Sequence, residues 1–220
     1  MTYLIIIIPY LALLTFYVLL EKQKKFRPAT TMKVILSAYA SLACLYAAIQ
    51  LNDYIYYIFA FGLICAVPAD FFLQYIKKDL KKYRVGIYCF GAMHVCLIIS
   101  FYLKYRVTFF EFAILAIFIA VLLYFQKIGK WKIGKEKIQL TIYTVLVTIM
   151  AAKAFSLYII YPGNVTLAVS LGGLFFFISD LFLGIWAYSQ RRFVFLALNR
   201  VIYFVGQLSL AFYVILLAMK

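Results

Sequence analysis

The stretch Leu171–Gly184, LGGLFFFISDLFLG, is an apolar helix segment with one carboxylate, Asp180, in its middle. A charged side chain at the centre of a membrane helix costs about 2.5–3.5 kcal/mol on insertion scales, so such residues usually face a polar interior and serve a function. Pairing with a buried cation that only fixes helix packing would also accommodate Asp180. The functional interpretation is favoured because a second carboxylate, Asp70, has similar surroundings earlier in the chain.

The apolar character of this segment extends along the whole chain. Of its 220 residues, 68% are hydrophobic, and the mean hydropathy is +1.02. Continuous apolar runs of about 20 residues are typical of transmembrane helices and exclude a β-barrel, whose strands alternate. We predict an all-α polytopic membrane bundle, with residues 1–220 as a single domain. Its eight transmembrane helices are expected at about 2–20, 31–50, 54–76, 85–103, 107–126, 139–161, 165–189 and 193–219.

The basic residues concentrate in the first, third, fifth and seventh loops, and among the even loops only the fourth is basic. By the positive-inside rule the odd loops face the cytoplasm and both termini lie outside. The net charge of +15 then reflects topology and contact with anionic membrane lipids, so nucleic acid is not predicted as a partner. The expected location is the plasma membrane, as the inner membrane of a bacterium. The odd-loop basic residues are Lys22, Lys24, Lys25, Arg27, Lys77, Lys78, Lys81, Lys82, Arg84, Lys127, Lys130, Lys132, Lys135, Lys137, Arg191 and Arg192.

Six polar residues from six different helices lie at similar depths, about 9–15 Å from the nearest cytoplasmic loop or helix end at 1.5 Å per residue. They are Lys33, Asp70, His94, Tyr143, Asp180 and Arg200. On the last helix, Asn199, Arg200, Tyr203 and Gln207 also share one face by their spacing. We therefore predict a polar cavity open toward the cytoplasmic leaflet. Lys153 and Glu111 lie nearer the outer face and are expected to serve structure.

Two carboxylates in a low-dielectric cavity permit acid–base catalysis, because one tends to keep its proton while the other is ionised. The protonated carboxyl can act as a general acid, and the ionised one can stabilise a developing cation or activate water. Lys33 and Arg200 suit a phosphate headgroup. We predict neither a metal nor an organic cofactor. The chain has a single histidine, and its cysteines, Cys44, Cys65, Cys89 and Cys96, form no C-x-x-C motif.

A weak internal repeat relates the two aspartates. Gly62-x7-Asp70-Phe-Phe-Leu in the third span parallels Gly172-x7-Asp180-Leu-Phe-Leu in the seventh. The two spans are four helices apart and run in the same direction. This pattern predicts two parallel four-helix halves with facing carboxylates.

These residues make the chain resemble the YhhN-like lysoplasmalogenase family of eight-span membrane proteins. The resemblance covers nearly the whole length and implies hydrolysis of the vinyl ether bond of lysoplasmalogens, giving a fatty aldehyde and a glycerophospho-base. It rests on Lys33, on Gly62 with Asp70-x-Phe-Leu, on His94, on Tyr143 through Met150 and Ala151, on Gly172 to Ser179-Asp180-x-x-Leu183, and on Tyr203-x-x-x-Gln207.

For this reaction we predict Asp70 and Asp180 as the catalytic residues, one as the acid and the other as the cation-stabilising or water-activating group. The predicted substrate-binding residues are Lys33, His94, Tyr143, Asn199, Arg200, Tyr203 and Gln207. Among them Lys33 and Arg200 would hold the phosphate, while Tyr143, Tyr203 and Gln207 would position the glycerol and water. The expected partners are a lysophospholipid substrate and membrane lipids, and the oligomeric state is left open.

Two other functions are also compatible with the sequence. Membrane carboxylates with a buried Lys, Arg and His also build proton relays, so a proton-coupled transporter is one alternative. A lipid-binding protein that has lost the chemistry is the other, because Val34, Ala69 and Leu97 stand where the family pattern usually has Pro, Gly and Tyr.

Overall fold

The computed structural model describes residues 2–76 and 78–219, and over these ranges it contains eight α-helices and no strand. All eight are long and apolar enough to cross a membrane, so the predicted polytopic helical bundle is confirmed. Lys77, which the sequence places in the basic third loop, lies outside the described residues. The helices are α1 (Thr2–Lys22), α2 (Phe26–Leu51), α3 (Tyr54–Leu73), α4 (Leu80–Lys104), α5 (Phe109–Gly129), α6 (Lys137–Ile160), α7 (Asn164–Tyr188) and α8 (Phe193–Ala218).

Two helices begin five residues earlier than the sequence predicts. Helix α2 starts at Phe26 rather than at 31, and α4 starts at Leu80 rather than at 85. The apolar pattern missed these first turns because they carry basic residues, whose long side chains extend toward the membrane surface while the backbone stays helical. At α4 the side chain of Asp79 accepts a hydrogen bond from the backbone N–H of Lys81 at 3.0 Å, which caps the helix inside the basic loop.

The first four helices and the last four pack in the same order. In one half α2, α3 and α4 follow each other with α1 against α2, and in the other α6, α7 and α8 follow each other with α5 against α6. The halves then join reciprocally, since α4 contacts α6 and α8 contacts α2. This arrangement of neighbours matches the repeat predicted from the two aspartate motifs.

A glycine in each motif allows close packing of the helix that carries the aspartate. A Cβ atom on Gly62 of α3 would lie 3.0 Å from the Cβ of Cys96 on α4, and one on Gly172 of α7 would lie 3.0 Å from the backbone nitrogen of Leu210 on α8. Glycine is needed where helix axes approach this closely. On α2, small residues likewise allow close helix packing. The small residues expected from the sequence to pack against a neighbouring helix are all buried: Ser37, Ala40, Ser41, Cys44 and Ala48.

An ion pair fixes the end of the bundle that is opposite the odd loops. The Nζ atom of Lys153 on α6 lies 2.6 Å from Oε1 of Glu111, and both side chains are buried. Lys153 also donates to the backbone carbonyl of Arg106 at 2.6 Å, and Glu111 accepts from the backbone N–H of Thr108 at 2.7 Å. These bonds join the start of α5 to α6, which supports the structural role predicted for the pair.

Candidate active site

Asp70 on α3 forms a buried ion pair with Lys33 on α2. The Nζ atom of Lys33 lies 2.8 Å from Oδ1 of Asp70, and each side chain is 1% exposed. The other oxygen, Oδ2, accepts hydrogen bonds from the hydroxyl of Ser37 and from the phenol of Tyr203 at 2.6 Å. A buried carboxylate needs this kind of pairing, because an unpaired charge in an apolar interior is costly. The carboxylate of Asp70 is therefore stabilised by one ammonium group and two hydroxyl groups.

Asp180 on α7 has a different partner. It is half-buried, and its Oδ2 accepts a hydrogen bond from the phenol of Tyr143 on α6 at 2.6 Å. Among the described residues it has no cation within ion-pair distance. The sequence separation between Lys33 and Tyr143 is the same as that between Asp70 and Asp180. Equivalent helices of the two halves thus give one aspartate a lysine and the other a neutral phenol.

Both carboxylates line one small cavity, which we call the chamber. Its volume is about 20 Å³, which is enough for a single water molecule. Seven of the nine predicted site residues meet there, together with Leu73, Phe90 and Leu183: Lys33, Asp70, Tyr143, Asp180, Asn199, Arg200 and Tyr203. The chamber is therefore a polar pocket between two carboxylates that come from different halves of the bundle.

The other two predicted residues do not line the chamber. The Oε1 atom of Gln207 lies 3.2 Å from the Ser37 hydroxyl, so Gln207 contacts Asp70 only through Ser37. The buried ring of His94 packs against the rings of Tyr143 and Phe176 at centroid distances of 5.4 and 5.6 Å. Within the described part of the chain neither of its ring nitrogens has a hydrogen-bond partner. The depth of His94 was predicted from the sequence, but its ring does not line the chamber, and no contact among the described residues supports a binding role for it.

Arg200 is a buried cation with neutral partners. Its guanidinium donates to Oε1 of Gln74 at 3.3 Å and to Oδ1 of Asn199 at 3.4 Å. The described residues offer it no carboxylate within 4.0 Å and no partner for Nε. Asn199 is itself held by donating to the carbonyl of Ser179 on α7 at 2.9 Å. Arg200 therefore brings a positive charge that has no direct carboxylate partner among the described residues to the edge of the chamber.

A larger apolar cavity, which we call the groove, meets the chamber between α5, α6 and α7. Its volume is about 380 Å³, and Tyr143, Asp180 and Leu183 line both cavities. Most of its wall is aliphatic or aromatic, as in Leu115, Ile119, Leu122, Ile149, Phe177 and Leu181. Pockets of this volume and character are typical binding sites for apolar ligands. An apolar ligand bound in the groove would therefore lie next to Asp180.

A profile of the YhhN family matches residues 23–214. The chain belongs to the YhhN family. The match starts just after α1 and ends within α8, so it includes every residue that lines the chamber. No match was found among curated proteins or among solved structures. The resemblance drawn from the sequence motifs is thus confirmed at the level of the family.

Three side chains of the polar network were missed by the sequence analysis as site residues. Ser37 lies one helical turn after Lys33, and Gln74 lies one turn after Asp70, so each shares a face with its predicted neighbour. This spacing was the signal that could have identified them. Glu21, whose carboxylate accepts a hydrogen bond from Gln74, gave no such signal because a charged residue at a helix end is expected in any membrane protein.

The side chains of the site suit acid–base chemistry better than metal binding. Among the described residues, no group of three or more His, Cys, Asp or Glu side chains is placed to hold a metal ion. The carboxylate of Asp70 is already engaged by Lys33, Ser37 and Tyr203. The groups available to a substrate are therefore carboxyl, phenol, amide and guanidinium groups.

Proposed function

We propose that the protein hydrolyses the vinyl ether bond of a lysoplasmalogen and releases a fatty aldehyde and a glycerophospho-base. The observation that carries this proposal is a pair of unlike carboxylates, Asp70 and Asp180, on one polar chamber at the side of an apolar groove. The groove suits a single hydrocarbon chain, and the chamber suits proton transfer. Membership of the YhhN family supports the same reaction class.

The substrate would reach the groove from the bilayer. Ile119 and Leu123 on α5 and Val145 on α6 line the groove and are exposed on the surface of the bundle, so a lipid chain can enter sideways. This route fits a protein of the plasma membrane, such as the inner membrane of a bacterium, with its basic loops in the cytoplasm.

We assign the proton donor to Asp180. Its described partner is the neutral phenol of Tyr143, so the protonated carboxyl leaves no charge unpaired beside the apolar groove. Asp70 is held as a carboxylate by Lys33 and stabilises positive charge that develops in the chamber. In this proposal Lys33 stabilises the charge of Asp70. The phosphate contact that the sequence predicted for Lys33 is not part of the proposal.

The first steps form a hemiacetal. Asp180 transfers its proton to the vinyl carbon that does not bear oxygen, and the double-bond electrons form the new C–H bond. The carbon that bears oxygen becomes an oxocarbenium ion, which faces the carboxylates of Asp70 and Asp180. A water molecule in the chamber adds to this carbon and passes a proton to Asp180. This transfer restores the acid.

The last step separates the products. Asp180 protonates the glycerol oxygen of the hemiacetal, and the bond between that oxygen and the hemiacetal carbon breaks. The proton of the hemiacetal hydroxyl returns to Asp180, which leaves an aldehyde and a free glycerol hydroxyl. One water is consumed in total. Tyr143 keeps Asp180 in place throughout, and Tyr203 and Asn199 contact the water site.

The proposal is tested by aldehyde release from a vinyl-ether lysolipid by the purified protein. We expect the Asp180→Asn and Asp70→Asn variants to lose activity by about a hundredfold or more, because each removes a group that acts in the transition state. Asp53→Asn is the matched control. Asp53 caps α3 by accepting from the N–H of Ile55 at 3.0 Å, and Asn also caps helices well.

Wild-type turnover in a folded Asp180→Asn protein would contradict the proposal. An inactive wild-type protein that binds the lysolipid tightly would favour a lipid-binding function. Substrate flux into proteoliposomes without product would favour a transporter.

A further inference from the structure

A third cavity, which we call the vestibule, lies at the end of the bundle that carries the basic loops. Its volume is about 340 Å³, and Arg200 lines both this cavity and the chamber. Glu21 is the only acidic residue among its described lining residues. Its basic residues are Lys24, Lys25, Lys78, Arg191 and Arg200. The vestibule is therefore a positively charged pocket, and the chamber shares lining residues with it and with the groove.

Arg200 has the features of an anion-binding residue. Its side chain is 7% exposed, and its hydrogen bonds go to the amide oxygens of Gln74 and Asn199 rather than to a carboxylate. The Nε atom has no partner among the described residues. A buried guanidinium is stable when it pairs with an anion, and its planar set of donors matches phosphate oxygens.

Glu21, the one carboxylate among the described lining residues of the vestibule, is hydrogen-bonded in a way that orients Arg200. Glu21 accepts hydrogen bonds from the amide of Gln74 and from the phenol of Tyr17 at 3.1 Å. Gln74 in turn accepts from Arg200 through its oxygen. Tyr17, Glu21 and Gln74 thus form a chain of hydrogen bonds that positions the guanidinium, while Nε has no partner among the described residues.

We propose that the vestibule binds the phosphodiester of the substrate headgroup, with Arg200 as its anchor. This inference rests on the proposed function and adds the location of the headgroup to it. The chain would lie in the groove with its vinyl ether beside Asp180, the attacking water in the chamber, and the phosphodiester beside Arg200 in the vestibule. The two products then leave by different openings, the aldehyde along the groove toward lipid and the glycerophospho-base through the vestibule.

The two tryptophans of the chain allow the cavities to be observed separately. Trp186 lines the vestibule and Trp131 lines the groove. We would titrate glycerophosphoethanolamine, which has no hydrocarbon chain, into the Trp131→Phe and Trp186→Phe proteins and follow tryptophan fluorescence. The expected result is a saturable change when Trp186 is the remaining tryptophan and no change when Trp131 remains.

Variants at Arg200 test the anchor. In the Trp131→Phe background, we expect Arg200→Gln to weaken binding by about tenfold or more, because a hydrogen bond to a charged group is lost. Arg200→Lys should give a smaller loss, since the charge remains but the planar donors do not. Arg192→Gln is the control, because Arg192 is exposed and does not line the vestibule.

Three results would overturn the inference: no saturable change in the Trp186 signal, binding that is unaffected by Arg200→Gln, or inorganic phosphate binding as tightly as glycerophosphoethanolamine. The last would identify a general anion site rather than a headgroup site. Because this assay measures binding without turnover, its failure would leave the aldehyde-release test of the reaction to stand on its own.

Discussion

Lys33 and Tyr143 occupy equivalent positions in the two halves of the molecule and give their aspartates different properties. The ammonium of Lys33 pairs with Asp70, whereas the phenol of Tyr143 donates to Asp180 without adding charge. Enzymes that use two carboxylates commonly separate their roles by such differences in environment. A single residue difference between repeats can thus convert two similar carboxylates into a fixed negative charge and a proton donor.

The ion pair can be tested by removing one partner. We expect Lys33→Met to destabilise the protein by about 3–5 kcal/mol, because it leaves the charge of Asp70 buried and unpaired. The double variant Lys33→Met with Asp70→Asn should regain much of this stability but none of the activity. Thermal unfolding in detergent, together with aldehyde release, measures both effects. A single variant as stable as the wild type would show that Asp70 carries no buried charge.

For His94, unlike Lys33, we expect that the side chain can be replaced without loss of activity. Its ring contacts are aromatic, and its nitrogens have no described partners, so an aromatic ring without polar atoms should fit. Replacing a buried unsatisfied polar group by an apolar group of similar shape is often neutral or stabilising. We expect His94→Phe to retain turnover close to that of the wild type in the aldehyde assay. Loss of turnover in a folded His94→Phe protein would restore the binding role predicted from sequence.

At the level of the helices, the sequence predicts depth better than direction. Span length and loop charge follow from the thickness and polarity of the bilayer, so the eight spans and the level of the site residues could be predicted. The rotation of each helix about its axis depends on how neighbouring side chains pack. The sequence therefore could not predict that His94 packs against aromatic rings instead of lining the chamber. The groove was missed for a related reason, because an apolar groove wall and a lipid-facing surface have the same composition.

The groove can be tested by filling it. Thr144 on α6 lines the groove, whereas Ile142 on the same helix is exposed and does not. We expect Thr144→Phe to raise the KM for long-chain lysolipids more than for short-chain ones, because the added ring takes space that the chain would occupy. Ile142→Phe should leave both KM values unchanged. Equal effects of the two substitutions on chain preference would exclude the groove as the chain site.

In the whole molecule, the chamber lies closer to one side of the membrane than to the other. The chamber and the vestibule lie toward the end of the bundle where the basic odd loops are found, while the pair of Lys153 and Glu111 fixes the other end. If the odd loops are cytoplasmic, as the charge bias predicts, the water-soluble product is released into the cytoplasm.

This orientation leads to a direct prediction. Alkaline phosphatase fused after the last residue, Lys220, should be active in a bacterial host, because that enzyme folds only outside the cytoplasm. The same enzyme inserted after Lys130, in the loop between α5 and α6, should be inactive. Fusions to a fluorescent protein that folds only in the cytoplasm provide the reciprocal control. The reverse pattern of activities would invert the topology and the direction of product release.

If Asp180 starts the reaction by protonating carbon, the aldehyde takes up hydrogen from the solvent, and product labelling in heavy water detects this uptake. The purified protein would be given a vinyl-ether lysolipid in D₂O, and the aldehyde would be trapped at once and analysed by mass spectrometry. We expect one deuterium on the carbon next to the aldehyde group, and no aldehyde above background from Asp180→Asn. Release of an aldehyde without deuterium at that carbon would exclude a reaction that begins with protonation of carbon.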